Sequence, residues 1–141
     1  MSDIGIISPD CLDSAWPDVA EIIRDKGEEL LKTHSPQELF ANVLARNYDL
    51  WAVTEGDELK LVGFCGWEEH AFKKNYHVVW VGGSGIKLLK KAVAKVEQYA
   101  CLHGASELTF CGRFGWDRVL KPLGFVPQGR WSKNVETCWK H

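Results

Sequence analysis

The sequence predicts an α/β (α+β) fold: a single domain over residues 1–141, with one mixed, mostly antiparallel sheet flanked by about four helices. Three observations lead there. A chain of 141 residues with 45% hydrophobic content can bury one core without disulfide staples. The apolar positions switch along the chain between helical spacing and alternation, giving the order strand, helix, helix, three strands, helix, strand, helix, two strands. At the centre, the apolar run Tyr76 to Val81 stops at Gly82, Gly83, Ser84 and Gly85 and passes straight into a long amphipathic stretch.

Taken in order, Ile4 to Ser8 reads as a first strand, and Asp13 or Ser14 can cap a helix that carries Trp16, Val19, Ile23 and Leu30, with Gly27 weakening its middle. The second helix has the clearest start: Ser35 caps, Pro36 takes the first helical position and Glu38 reaches back, with Leu39, Phe40, Val43 and Leu44 as the buried stripe. Leu50 to Thr54 and Leu59 to Trp67 alternate around a Glu55 to Glu58 turn and form a hairpin. The charged stretch Glu68 to Asn75 leads into the strand at Tyr76. In the long helix, Ile86, Leu89, Val93, Val96 and Ala100 share one face, Lys87, Lys90, Lys91 and Lys95 lie on the others, and Gly104 ends it. Leu108 to Cys111 is a strand, Trp116 to Leu120 a shorter helix, and Phe125 to Trp131 and Val135 to Trp139 are closing strands around a turn at Ser132, Lys133 and Asn134.

Charge and composition narrow the function classes. A net charge of -2 and a pI near 6.2 imply no broad basic face for nucleic acid or anionic membrane. No apolar run approaches spanning length and the N-terminus lacks a signal-peptide layout, so a cytoplasmic location is expected. Cys11, Cys65, Cys101, Cys111 and Cys138 are odd in number and widely spaced, which reads as reduced structural thiols. No metal site is expected: Cys101 and His103 do not face each other on a helix, and His70 and His77 have no ligand-spacing partners. Seven Trp residues fit core and rim packing, with a Trp-rich binding surface as the sharper alternative.

A strand that ends in glycines and feeds a helix leaves backbone N–H groups unpaired at the positive end of the helix dipole, which attracts anions and phosphate above all. The residues from Trp80 through Val81, Gly82, Gly83, Ser84, Gly85 and Ile86 to Lys87 are therefore the candidate phosphate-binding segment. A nucleoside-triphosphate loop is excluded because Ile86 and Lys87, and not Lys and a hydroxyl residue, follow Gly85. A dinucleotide fingerprint is excluded because Leu88 stands where its third glycine belongs.

The element order, together with Leu61 Val62 Gly63 Phe64, Gly83 Ser84 Gly85 Ile86 and Leu120 Lys121 Pro122 Leu123 Gly124 Phe125, resembles the GNAT superfamily of N-acetyltransferases over nearly the whole chain. The resemblance implies acetyl-CoA as cosubstrate, no metal, and a pyrophosphate held by the glycine-loop amides. It also implies a thioester lying where the fourth and fifth strands splay, and a primary amine as acceptor. Gly83 and Gly85 match the family loop, while Trp80 stands at its basic position and Leu120 at the position of a Tyr that often protonates the leaving thiolate. The implied base lies on the third or fourth strand, which makes His77 and Glu69 the candidates, with Glu68 behind them. The stretch Gly112 to Leu120 and the small size are similar to short GNAT-like proteins of bacteriophages. That leaves a second expectation: a catalytically degenerate protein that binds a host protein or sits in a virion, with a host-cytoplasmic or virion location.

Overall fold

The computed structural model describes residues 2–70, 72–110, 120–127 and 131–134. Seven strands form one sheet: β1 (Ser2–Ile6), β2 (Asp49–Glu55), β3 (Glu58–His70), β4 (Lys73–Gly83), β5 (Glu107–Phe110), β6 (Val126–Pro127) and β7 (Trp131–Asn134). Their spatial order is β1-β2-β3-β4-β5-β7-β6, and every neighbouring pair is antiparallel except β4 with β5. Helices α1 (Leu12–Lys26) and α2 (Pro36–Leu44) cover one face, and α3 (Leu89–Leu102) covers the other.

The two faces explain why β2 and β3 read as nearly continuous apolar runs. Leu50, Val62, Phe64 and Trp80 pack with Leu12, Val19, Ile23, Leu39 and Val43 on the α1/α2 side. Their chain neighbours Trp51, Leu61 and Cys65 point the other way, to Leu89, Val93, Val96 and Ala100 of α3. The predicted stripe of α3 is thus the buried one, with the side chain of Ile86 outside the description, and Gly104 follows the helix at φ +85°.

Several boundaries differ from expectation for identifiable reasons. The first helix is preceded by a short turn of helix (Pro9–Cys11), capped by Ser8, whose hydroxyl accepts from the Asp10 N–H at 3.2 Å. Gly27 ends α1 instead of weakening its middle, because a Cβ there would sit 2.6 Å from the Ile23 carbonyl oxygen that its own N–H engages. Ser35 caps α2 as expected, with the Glu38 carboxylate on its hydroxyl at 3.3 Å. The charged stretch after Trp67 is not a connector: β3 and β4 run on into it as a second long hairpin, with Glu69 paired to Lys74 across the ladder, so opposite charges stabilise a solvent-exposed strand end. Ser132, Lys133 and Asn134, expected as a turn, belong to β7 because they pair with β5. The helix expected over Trp116–Leu120, apart from Leu120, and the strand expected at Val135–Trp139 lie outside the described residues. Cys11 and Cys65 are free but Cys101 is disulfide-bonded, which corrects the expectation of five reduced thiols; spacing along a chain does not reveal which distant thiols a fold brings together.

Two β-bulges position the functional end of the sheet. Phe64 faces Trp80 and Cys65 faces Val78, so Val79 is an extra residue on β4. Val78 and Val81 pack on the α3 side, whereas Val79 and Trp80 both pack on the α1/α2 side. With Val79 in the chain, strict alternation from Val78 would have sent the Trp80 indole toward α3; the bulge absorbs the extra residue and keeps the indole in the other core. Likewise Val53 faces Leu61 and Thr54 faces Leu59, which leaves Lys60 as the extra residue on β3, directly beneath the end of β4.

Candidate active site

Among the described residues the β4–β5 ladder pairs Asn75–Val78 with Glu107–Phe110, and β4 continues through the bulge at Val79 to Gly83. On the β3 side the bulged Val79 has no partner in the ladder, which frees its backbone polar groups from regular pairing there.

The glycine turn is held to the bulge of β3. Ser84 donates its N–H to the Lys60 carbonyl at 2.9 Å. Gly83 adopts φ +141°, where a Cβ would collide with that carbonyl, and a Cβ on Gly85 would lie 2.9 Å from the Lys60 side chain. The glycines thus let the turn close on β3, and the helical segment then starts at Ile86 with a short turn of helix (Ile86–Leu88) leading into α3. The N–H groups of Gly85, Ile86 and Lys87 occupy the first turn, where no carbonyl within a helix can reach them. Lys87, Lys90 and Lys91 are exposed around it. The opposite flank of the turn is a depression of about 380 Å³ beside Asp18, Glu21, Asp25 and Asp57. Phosphate is therefore favoured on the α3 flank and repelled from the other.

The other predicted residues separate. Trp80 is 4% exposed, inside the α1/α2 core with its ring over Gly82, so anything it gives a ligand comes through its backbone. His77 lies on the same face, and its Nδ1 is 2.7 Å from the hydroxyl of the buried Thr109 on β5. Glu69 is exposed and pairs with Lys74, whose Nζ lies 4.4 Å from the Trp67 ring centroid on the α3 face. Glu69 and His77 therefore occupy opposite faces, while Glu68 shares the face of His77. Opposite His77 stands Gly66, over which Tyr48 lays its ring, and the ring of His34, from the loop before α2, lies tilted at 6.4 Å from Tyr48. Thr109, Tyr48 and the Val79 bulge carry no sequence motif; only the two-sided burial of the strands hinted at them.

Below this end, on the α3 face, the Tyr76 hydroxyl donates to Asp49 Oδ2 at 2.7 Å and accepts from Trp51 Nε1 at 2.8 Å. Burial first, then neighbouring Cys65 and Asp49, pushes the Tyr76 hydroxyl far above its ordinary range, and burial together with Asp49 does the same to the Cys65 thiol. Both stay protonated near neutrality, so this cluster is a clamp and not an acid–base pair. Tyr99 of α3 packs 5.5 Å from Tyr76 and 5.4 Å from Trp51, which ties the helix to the sheet. Tyr76→Phe removes a donor and an acceptor and leaves Asp49 and Trp51 short of partners. The expected loss is about 1–3 kcal/mol, read from denaturant unfolding.

Solved structures share this fold. A Desulfovibrio desulfuricans protein assigned to the GNAT family of acetyltransferases superposes with a TM-score of 0.72 at 16% identity, over 96% of this chain and 100% of that one. This is the GNAT fold. An aminoglycoside 6'-acetyltransferase type Ii gives a TM-score of 0.71 at 13% identity, covering 95% of this chain and 97% of its own. Glucosamine-6-phosphate N-acetyltransferase from Arabidopsis thaliana gives 0.66 at 12% identity, covering 91% and 93%. At the level of sequence no family model and no curated relative matches the chain. Leu120, which the resemblance sets at the position of a Tyr, is fully buried in the α3-side core. No group of three or more metal-ligating side chains occurs among the described residues, and no helix among them is long and apolar enough to cross a membrane.

Proposed function

We infer that this chain is a CoA-dependent N-acyltransferase that moves an acetyl group from acetyl-CoA to a primary amine. The observation that carries the reading is the junction of two features on one strand: a bulge at Val79, next to the residues that pair with β5, and a glycine turn at the start of α3. The amides of Gly85, Ile86 and Lys87 would hold the pyrophosphate, and the extended arm would run along β4 toward Val79. An N–H of β4 near Val79 would polarise the thioester carbonyl.

The amine nitrogen then attacks the carbonyl carbon, the C–N bond forms, the C–S bond breaks, and the thiolate leaves with the electron pair. His77, held by Thr109, takes the proton that the attacking nitrogen loses. Leu120 supplies no acid, so among the described residues the thiolate finds its proton in solvent. Much of the rate then comes from positioning.

Four of the seven Trp residues fall within the described side chains, and they favour this reading over a Trp-rich docking surface: Trp51 and Trp80 are core, Trp16 packs edge-on to Phe40 at 5.1 Å, and Trp67 lies 4.5 Å from Tyr76.

The test is thiol release from acetyl-CoA across a panel of primary amines, with Ile86→Pro as the control. Proline fits the first helical position after a glycine and removes one donor from the anion cradle. Losing one hydrogen bond to a charged group should weaken acetyl-CoA about tenfold to a hundredfold by calorimetry. A chain that binds acetyl-CoA equally well with Pro at position 86 does not use this cradle.

A further inference from the structure

The layer of side chains that the sheet turns toward α3 is thin beside Val79, for two reasons. On β3 the residues of that face are Leu61, Gly63 and Cys65, so the middle position carries no side chain. On β4 the bulge turns both Val79 and Trp80 to the other core, so Val78 and Val81 stand three residues apart where alternation gives two. Gly63 pairs with Val81 and Cys65 with Val78, which sets the two features side by side. Between this stretch and α3 lies a cavity of about 40 Å³, bounded on the helix side by Leu89, Ala92 and Val93 and on β5 by Phe110. Its described lining is apolar, so a water there finds no partners and the space stays dry. The backbone of Gly63 is not left-handed, so its conformation does not call for glycine. A Cβ on it would lie 3.7 Å from the Val81 side chain and 3.3 Å from the Trp80 carbonyl oxygen, a tight fit and not a collision. What the glycine does is keep the space open, and a glycine inside a strand often marks a place that something else approaches.

We propose that this cavity receives the tail of an acyl group longer than acetyl, so that the donor site takes propionyl- and butyryl-CoA in preference to acetyl-CoA. The inference rests on the acyl-transfer reading, which sets the thioester beside Val79, on the strand whose α3 side borders the cavity. The carbonyl stays at a β4 N–H, and the chain beyond it turns to the α3 side between Val78 and Val81. About 10–15 Å³ of such space holds one water, so the cavity has room for about three. That suits the two methylene groups by which butyryl exceeds acetyl and falls short of the four that hexanoyl adds. Each methylene seated in the cavity leaves water for an apolar wall, a gain of about fourfold in affinity.

Calorimetry with acetyl-, propionyl-, butyryl- and hexanoyl-CoA tests this directly. Affinity should rise about fourfold from acetyl to propionyl and about fourfold again to butyryl, then fall back at hexanoyl. Ala92→Val fills part of the cavity from the helix side, and should cost butyryl-CoA about tenfold while leaving acetyl-CoA unchanged. Equal affinity for acetyl- and butyryl-CoA, tighter binding of hexanoyl than of butyryl, or a butyryl preference that survives Ala92→Val overturns the proposal. If that variant does not fold, Gly63→Ala decides: loss of the butyryl preference supports the pocket and its survival overturns it. These results leave acetyl-CoA binding, and with it the acyl-transfer reading, in place. A butyryl preference without thiol release to any primary amine would defeat the acyl-transfer reading alone, and no binding of any thioester would defeat both.

Discussion

Trp80→Ala is expected to cost about 3–5 kcal/mol, read from denaturant unfolding, because it empties a buried ring from the α1/α2 core. Against a total stability of about 5–15 kcal/mol that is a large share. Deleting Val79 should cost less. Val78 and Trp80 then become consecutive, their partners Cys65 and Phe64 are already consecutive on β3, and alternation keeps Val78 and Val81 toward α3 and Trp80 toward α1/α2. The face each side chain of β4 takes thus depends on its pairing with β3. Val79→Ala keeps the residue count and should lose only about 1–2 kcal/mol. A Trp80→Ala variant that melts within a few degrees of the native chain would show that the indole does not hold this core.

That dependence also marks how far the sequence could be read. The helices were legible because their apolar spacing and caps are local: Ser35 with Pro36 and Glu38 announces α2, and the stripe of α3 is the one buried. The candidate anion site was legible for the same reason, since a glycine turn entering a helix is a contiguous signal. What was not legible is set by pairing. The charged ends of β3 and β4 look like a loop until Glu69 meets Lys74, and Ser132 to Asn134 look like a turn until β5 claims them. The bulge at Val79 has no local signature in Val78 Val79 Trp80 Val81. It follows from which side each neighbour is buried on, and the same accounting moves Glu69 to the face away from His77 and brings Thr109 and Asn75 to it. Gly83, in the expected phosphate cradle, has a structural task in its backbone angle and its approach to Lys60, so a bulky residue there would disturb the turn before it tested any ligand.

His77→Ala should lower kcat for acetyl transfer about a hundredfold to ten-thousandfold, the range of a positioned general base, with acetyl-CoA affinity unchanged because the side chain lies away from the glycine turn. Thr109→Val should act through His77. It removes the hydroxyl that fixes the imidazole and should reduce kcat by a smaller factor, with a shift in the pH–rate profile that a purely structural effect would not produce. A kcat within tenfold of native in His77→Ala would move the proton transfer to Glu68, on the same face, or to solvent.

Acetyl-CoA is expected to lie along β4 beside Val79 with its pyrophosphate at the start of α3. An acetyl-CoA titration followed by backbone amide NMR tests it most directly. Saturable binding is expected, with the largest shifts at Val79, Gly85, Ile86 and Lys87 and little change at Asp18, Glu21 and Asp25 across the turn. Absence of binding at millimolar acetyl-CoA, or shifts centred away from β4 and the glycine turn, would contradict it.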